Sequence, residues 1–180
     1  MFLNGACFLP FQTFLTSLLT EGRHLSLELA SVSWAIVGVG GILGGFLFGV
    51  ISDGKSVKLS LIIAYAGLLL AALFVWRGFS MWSDYLAIAI FGVAYSGIFG
   101  QSAAYLAKTE NVENATFLTG LSFVALGLGS ALGNYCAGMI LHQSSDYSTV
   151  YGTISIGVGL CFVISFCLPW KAEQSAGAMS

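Results

Sequence analysis

Asn4, Phe8, Gln12 and Thr16 recur every four residues in an otherwise apolar N-terminal run, and Tyr95, Gln101, Ser102 and Tyr105 fall on one arc of a later run. Residues four apart share a helix face, so each set forms a stripe of amides and hydroxyls. These groups neither attack a substrate nor hold a metal unaided; they donate and accept hydrogen bonds. Unpaired against hydrocarbon they are costly, so they face an aqueous path, a polar solute or one another. Gln12, Thr16, Tyr95, Gln101 and Tyr105 are therefore the candidate solute contacts.

The residue types that usually carry covalent or metal chemistry are poorly placed for it. His24 and His142 have no ligand-spaced partner, and Cys7, Cys136, Cys161 and Cys167 all fall within apolar runs, where cysteine packs as a small apolar residue. No phosphate-binding loop or nucleotide fingerprint follows a strand pattern. The sequence predicts no enzyme, no metal and no cofactor. A net charge of -2 without any basic block argues against nucleic acid.

The elements that must position these stripes follow from composition. With 57 % hydrophobic and 8 % charged residues and a mean hydropathy of +0.90, the chain lacks the polar residues to cover a soluble globule. Six apolar segments, at 2–19, 30–51, 59–76, 85–107, 115–141 and 149–169, are long enough to cross a hydrocarbon core about 30 Å thick. All charged residues and both histidines fall outside them, the segregation that a cost of about 2.5–3.5 kcal/mol per central charge produces. The reading is an all-α membrane protein: a six-span domain over 1–171 and a polar tail over 172–180. The first segment has no basic leader region and no small-residue cleavage site, which argues against a signal peptide. Connections of about five to ten residues predict that each helix packs beside the next. Lys55, Lys58, Lys108 and Lys171 share the side of both termini, against Arg23 and Arg77 opposite, so the termini are expected in the cytoplasm and the protein in a cell membrane. Asn114-Ala115-Thr116 matches a glycosylation sequon but lies on the cytoplasmic side of this topology.

Glycine is dense where helix formers are expected. Gly38, Gly41, Gly45 and Gly49 share one side of segment 2, with Gly40 and Gly44 on another; Gly127 and Asn134 share a sector of segment 5. Small residues at this spacing let helix backbones approach closely in lipid. Gly38, Gly41, Gly45, Gly127 and Asn134 are the expected packing positions. Segments 2 and 5 are thus the glycine-rich pair, 1 and 4 the amide-bearing pair, and 3 and 6 lack Asn and Gln. The roles repeat as 1-2-3 and 4-5-6, and an odd number of crossings per repeat inverts the second copy in the membrane.

Between segments 2 and 3, Gly49-Val-Ile-Ser-Asp53-Gly-Lys-Ser-Val-Lys58 resembles the signature loop of the major facilitator superfamily, in which a glycine precedes an acid and closing basic residues. Gly49, Asp53 and Lys58 match; Gly54, Ser56 and Val57 depart from the pattern. The resemblance implies the C-terminal half of such a transporter, helices 7 to 12, with the first and fourth helices lining a cavity, the second and fifth meeting the other half, and the third and sixth facing lipid. It further implies alternating access for a small solute, with or without a coupling proton or ion, and a conformational role for Asp53 at a helix end of the opposite half. The partners expected are the lipid bilayer, that solute, and an N-terminal six-helix half or a second copy of the chain. The abrupt start at Met1 fits a truncated or internally initiated product. The competing expectation is a six-span protein that transports nothing, such as a channel subunit or an assembly factor.

Overall fold

A computed structural model describes residues 1–168. Lys171, the last residue of the sixth predicted span and the tail at 172–180 lie outside the described residues. Among the described residues there is no strand, and six helices are long and apolar enough to cross a membrane. They are α1 (Phe2–Gly22), α2 (Leu27–Gly54), α3 (Val57–Arg77), α4 (Met81–Thr109), α5 (Val112–Ser144) and α6 (Tyr147–Phe166).

The helices reach further into the predicted loops than hydropathy suggests, leaving connections of two to four residues. Local chemistry sets these limits. Ser26, Ser56, Ser80, Asn111 and Asp146 each stand at an N-cap and accept a backbone N–H of the first turn, and Ser80 with Ser83 forms a reciprocal capping box. Gly78, at φ 59°, closes α3 in the left-handed region that glycine adopts without penalty.

α1 is not one regular helix. Pro10 has no N–H to offer the Ala6 carbonyl, the α-helical segment Phe2–Thr13 ends at Phe14, and after Leu15–Ser17 the chain winds into a π turn, Leu18–Gly22. The α-helical segment thus runs through Pro10 and breaks four residues later at Phe14, and a second irregularity follows in the π turn.

Sequence neighbours are not, in general, the main packing partners. α2 packs on α4, α1 on α5, and α3 on both α4 and α6, whereas α2 touches α3 lightly. The reason lies in where the glycines fall. A Cβ at Gly44 would overlap the Val93 carbonyl, and one at Gly40 would crowd Val93 N and the Ala89 carbonyl; Gly92 sits on the Val37 carbonyl. In the other seam Gly133 sits on the Ala6 carbonyl, Gly129 on the Phe2 carbonyl and Ala6 N, and Gly5 on the Leu126 carbonyl. Both seams bring backbone onto backbone, as small residues permit in lipid.

Between the seams lies a core of large side chains from α1, α4 and α6. Phe11 stacks on Phe91 at 4.2 Å between centroids and meets Tyr151 edge-on at 5.2 Å. Tyr151 is fully buried and donates its hydroxyl to the Phe11 carbonyl at 2.9 Å. By contrast, only 22 % of the apolar window of α2 and 11 % of that of α5 is buried, against 39 to 50 % in the other four helices.

Candidate functional site

A cavity of about 340 Å³ opens beside the first turn of α1, bounded by α3, α4, α5 and α6. Its polar side chains are Asn4, Tyr65, Ser102, Tyr105, Ser122 and Ser165, and Met1 with its terminal ammonium also lines it. Asn4 is buried, and its orientation is fixed by the Tyr65 hydroxyl, which donates to Asn4 Oδ1 at 3.0 Å. The amide nitrogen then points away and donates to the thioether of Met1 at 3.3 Å, a weak acceptor. Ser96, Thr119 and Ser155 each return their hydroxyl to the carbonyl one turn earlier. Ser102 and Ser122 make no such bond among the described residues and line the cavity. A second, larger space of about 480 Å³, between α1, α5 and α6, has an almost wholly apolar lining that includes Cys7, Pro10, Cys136 and Ile140.

Of the five solute contacts expected from sequence, Tyr105 lines the polar cavity and the other four do not. Gln12 is half-buried, and its side-chain amide forms no hydrogen bond among the described residues. Thr16 accepts from the indole N–H of Trp34 at 2.9 Å, which ties α1 to α2. Tyr95 stands between Phe91 and Phe99 in an aromatic row along α4. Gln101 is buried and donates to the Phe48 carbonyl at 3.0 Å, an atom that also accepts from Ser60 at 3.1 Å, so this amide ties α4 to α2 and α3.

The expected packing positions are redistributed as well. Gly38, Gly45 and Gly127 have open space where a Cβ would stand, and Gly41 lies beside Ser96 Oγ; the close approach within the chain uses the alternate glycine face, Gly40 and Gly44. Asn134 donates to the carbonyl and hydroxyl of Ser130 on its own helix, and no bond to another helix is formed among the described residues. At the end of α2, Gly49 faces open space and the Asp53 side chain is exposed, with no side-chain hydrogen bond or ion pair among the described residues. Lys58 reaches across to the end of α6 and donates to the carbonyls of Phe166 and Leu168 at 2.9 and 2.6 Å.

Sequence reasoning passed over a cluster at the opposite end. Arg23 Nε donates to Asp84 Oδ2 at 3.0 Å and Arg23 Nη2 to the Val75 carbonyl at 3.0 Å, joining the α1–α2 connection to the end of α3 and the start of α4. Tyr147 donates to Glu21 at 2.5 Å, adding α6 to the same end. The available signal was that Asp84 adjoins an apolar span and Arg23 is one of two cations on that side. No protein-family model and no curated protein matches the chain.

Proposed function

We propose that this chain is a six-helix half of a secondary transporter of the major facilitator type, seated in a cell membrane with both termini cytoplasmic and working by alternating access on a small solute. The observation that carries the reading is the correspondence of the two glycine seams. Gly44 meets the Val93 carbonyl as Gly133 meets the Ala6 carbonyl; Gly40 meets Val93 N and Ala89 O as Gly129 meets Ala6 N and Phe2 O; Gly92 meets Val37 O as Gly5 meets Leu126 O. Gly5 thus pairs with Gly92, 87 residues on, and Gly40 with Gly129, 89 on. A third pair agrees: Gly67 lies against Ala94 and Gly157 against Cys7, again separated by 90 and 87 residues.

These correspondences support a 3+3 repeat in which α1, α2 and α3 answer to α4, α5 and α6. Three crossings reverse the chain's direction, so the copies are inverted, the construction common in secondary transporters. The sequence of α2 and α5 supports the same register: Ser33, Gly38, Gly40, Leu43, Gly44, Gly49 and Ile51 recur as Ser122, Gly127, Gly129, Leu132, Gly133, Gly138 and Ile140.

The repeated spacing includes glycines that no contact among the described residues requires. Gly38 and Gly127 face open space, as do Gly49 and Gly138, although a glycine inside a helix costs about 0.5–1 kcal/mol relative to alanine. Their recurrence in both copies favours a close-packed partner on the lightly buried faces of α2 and α5, which is where a second six-helix body would sit. Connections of two to four residues leave no room for a re-entrant filter among the described residues, which weighs against a channel.

The test is flux in proteoliposomes loaded with a mixture of small metabolites. Counterflow is expected when the chain is reconstituted with a matching N-terminal half and not from the chain as a monomer. A transport-active 18.9 kDa monomer overturns the two-body requirement. No flux with any partner favours the non-transporting scaffold.

A further inference from the structure

Cys7 on α1 and Cys161 on α6 are both buried, and their thiols meet across the contact between the two helices. Gly157 stands four residues before Cys161, on the same face of α6, and a Cβ there would overlap Cys7 Sγ. In the register of the proposed repeat, Gly67 on Ala94 answers to Gly157 on Cys7, so Ala71 and Ala94 occupy the places of Cys161 and Cys7. Both alanines are buried. Two methyl groups therefore suffice to pack this contact in one copy, and the other copy replaces both with thiols. Use as a small apolar filler accounts for either cysteine singly; it leaves unexplained why the two face each other.

Ligand count and charge decide what such a pair can hold. Thiols bind metals as thiolates and release their protons in doing so. Cys136 borders the same apolar space as Cys7, yet no group of three or more His, Cys, Asp or Glu side chains comes together among the described residues. Zinc, which almost always takes four ligands in a structural site, finds too few here. Soft ions that accept two thiolates in a line do not. A monovalent ion between two thiolates leaves one negative charge buried in a span, whereas a divalent ion leaves none.

We infer that Cys7 and Cys161 form a two-coordinate site for a soft divalent ion, of which mercury(II) is the type, bound as a linear bis-thiolate between α1 and α6. The ion enters as its neutral dichloride through the apolar space that Cys7 borders. Two S–H bonds and two Hg–Cl bonds break, two S–Hg bonds form, and two protons leave with two chlorides. No atom changes oxidation state, and the site is neutral before and after. The comparison with Ala71 and Ala94 draws on the repeat; the binding itself does not rest on the transporter reading.

The test is a mercuric chloride titration of the full chain in lipid nanodiscs, with the two exposed cysteines removed as Cys136→Ala and Cys167→Ala. The thiolate-to-mercury charge-transfer absorbance is expected to saturate at one ion per chain, and the intact mass to rise by one mercury less two protons. Adding Cys7→Ala or Cys161→Ala leaves a single thiol, on which the ion keeps one chloride. With no second thiol held nearby, each such variant should lose its mercury to 2-mercaptoethanol at about a tenth or less of the concentration that strips the pair. Cys7→Ser and Cys161→Ser take their place where an alanine variant fails to fold. Zinc chloride is expected not to bind. Two ions per chain, each with its own chloride, no mercury bound, or equal stripping from the pair and from the single variants overturns the site. Zinc held as tightly as mercury overturns the two-coordinate geometry. None of these outcomes depends on flux.

Discussion

Arg23 and Asp84 stand 61 residues apart in the chain and 3.0 Å apart in space, with the carboxylate side chain 3 % exposed and the guanidinium 31 %. The pairing is unequal. Arg23 has water on one side and the Val75 carbonyl as a second acceptor, whereas Asp84 Oδ1 has no hydrogen-bond partner among the described residues. Removing the cation strands a buried charge; removing the acid leaves a cation that can still reach solvent.

Arg23→Ala is therefore expected to lower stability by about 2–4 kcal/mol, somewhat below the range for a fully buried pair, and Asp84→Asn by less. The double variant should be more stable than the sum of the two losses implies. Thermal unfolding in detergent measures all three. Equal losses for the two single variants would contradict the asymmetry.

The glycines divide by the space beside them. Gly44→Ala and Gly133→Ala drive a methyl into a facing carbonyl and should each cost about 1–3 kcal/mol. Gly38→Ala and Gly127→Ala meet nothing and should leave the isolated chain unchanged or more stable by up to about 1 kcal/mol. The same two variants should weaken cross-linking to a partner half. If they leave that cross-linking intact, the open glycine face is not the contact.

Orientation can be read by thiol labelling from outside the cell in a background without native cysteines. Gln143→Cys, exposed at the end of α5, should react with an impermeant thiosulfonate; Gly54→Cys, exposed at the end of α2, should not. Ser56 would be a poor reporter despite lying in the same connection, since it is a buried N-cap. Reversed labelling would put the lysine-rich end outside.

Lys58 is a C-cap supplied from another helix. Its ammonium places positive charge at the end of α6, where the last carbonyls lack backbone donors. Lys58→Ala should speed amide hydrogen exchange in the final turn of α6 and lower stability by about 1 kcal/mol. Unchanged exchange there would overturn the capping role.

The spans were legible because cost against hydrocarbon acts residue by residue; their ends were not, because hydropathy is blind to the local caps at Ser26, Ser56, Ser80, Asn111 and Asp146 that start the helices a few residues earlier. The helix neighbours were not. Short connections fix which ends are close but not which faces meet, and the faces are decided by Gly44 on Val93 and Gly133 on Ala6, contacts between remote segments. The glycines as a class pointed to packing, yet Gly40 and Gly38 differ by two positions and take opposite roles. The recurring spacing from Ser33 to Ile51 and from Ser122 to Ile140 could have supplied the register. The cavity residues were half legible. Asn4 and Ser102 lie in the polar stripes, but a stripe spans a whole helix face: Gln101 on it is tied to the Phe48 carbonyl, and Gln12 lies two turns along α1 from the cavity.

The π turn at Leu18–Gly22 takes up one residue more than an α turn would, and Arg23 N closes it on the Leu18 carbonyl at 2.8 Å. Deleting one residue from this turn would let α1 run on as a regular helix while rotating everything after it by about 100°. Arg23 would swing away from Asp84, and the indole of Trp34 would lose Thr16. Length in this stretch is thus a setting for angle, so a lineage that gains or loses one residue here must find another way to fasten α1 to α2 and α4.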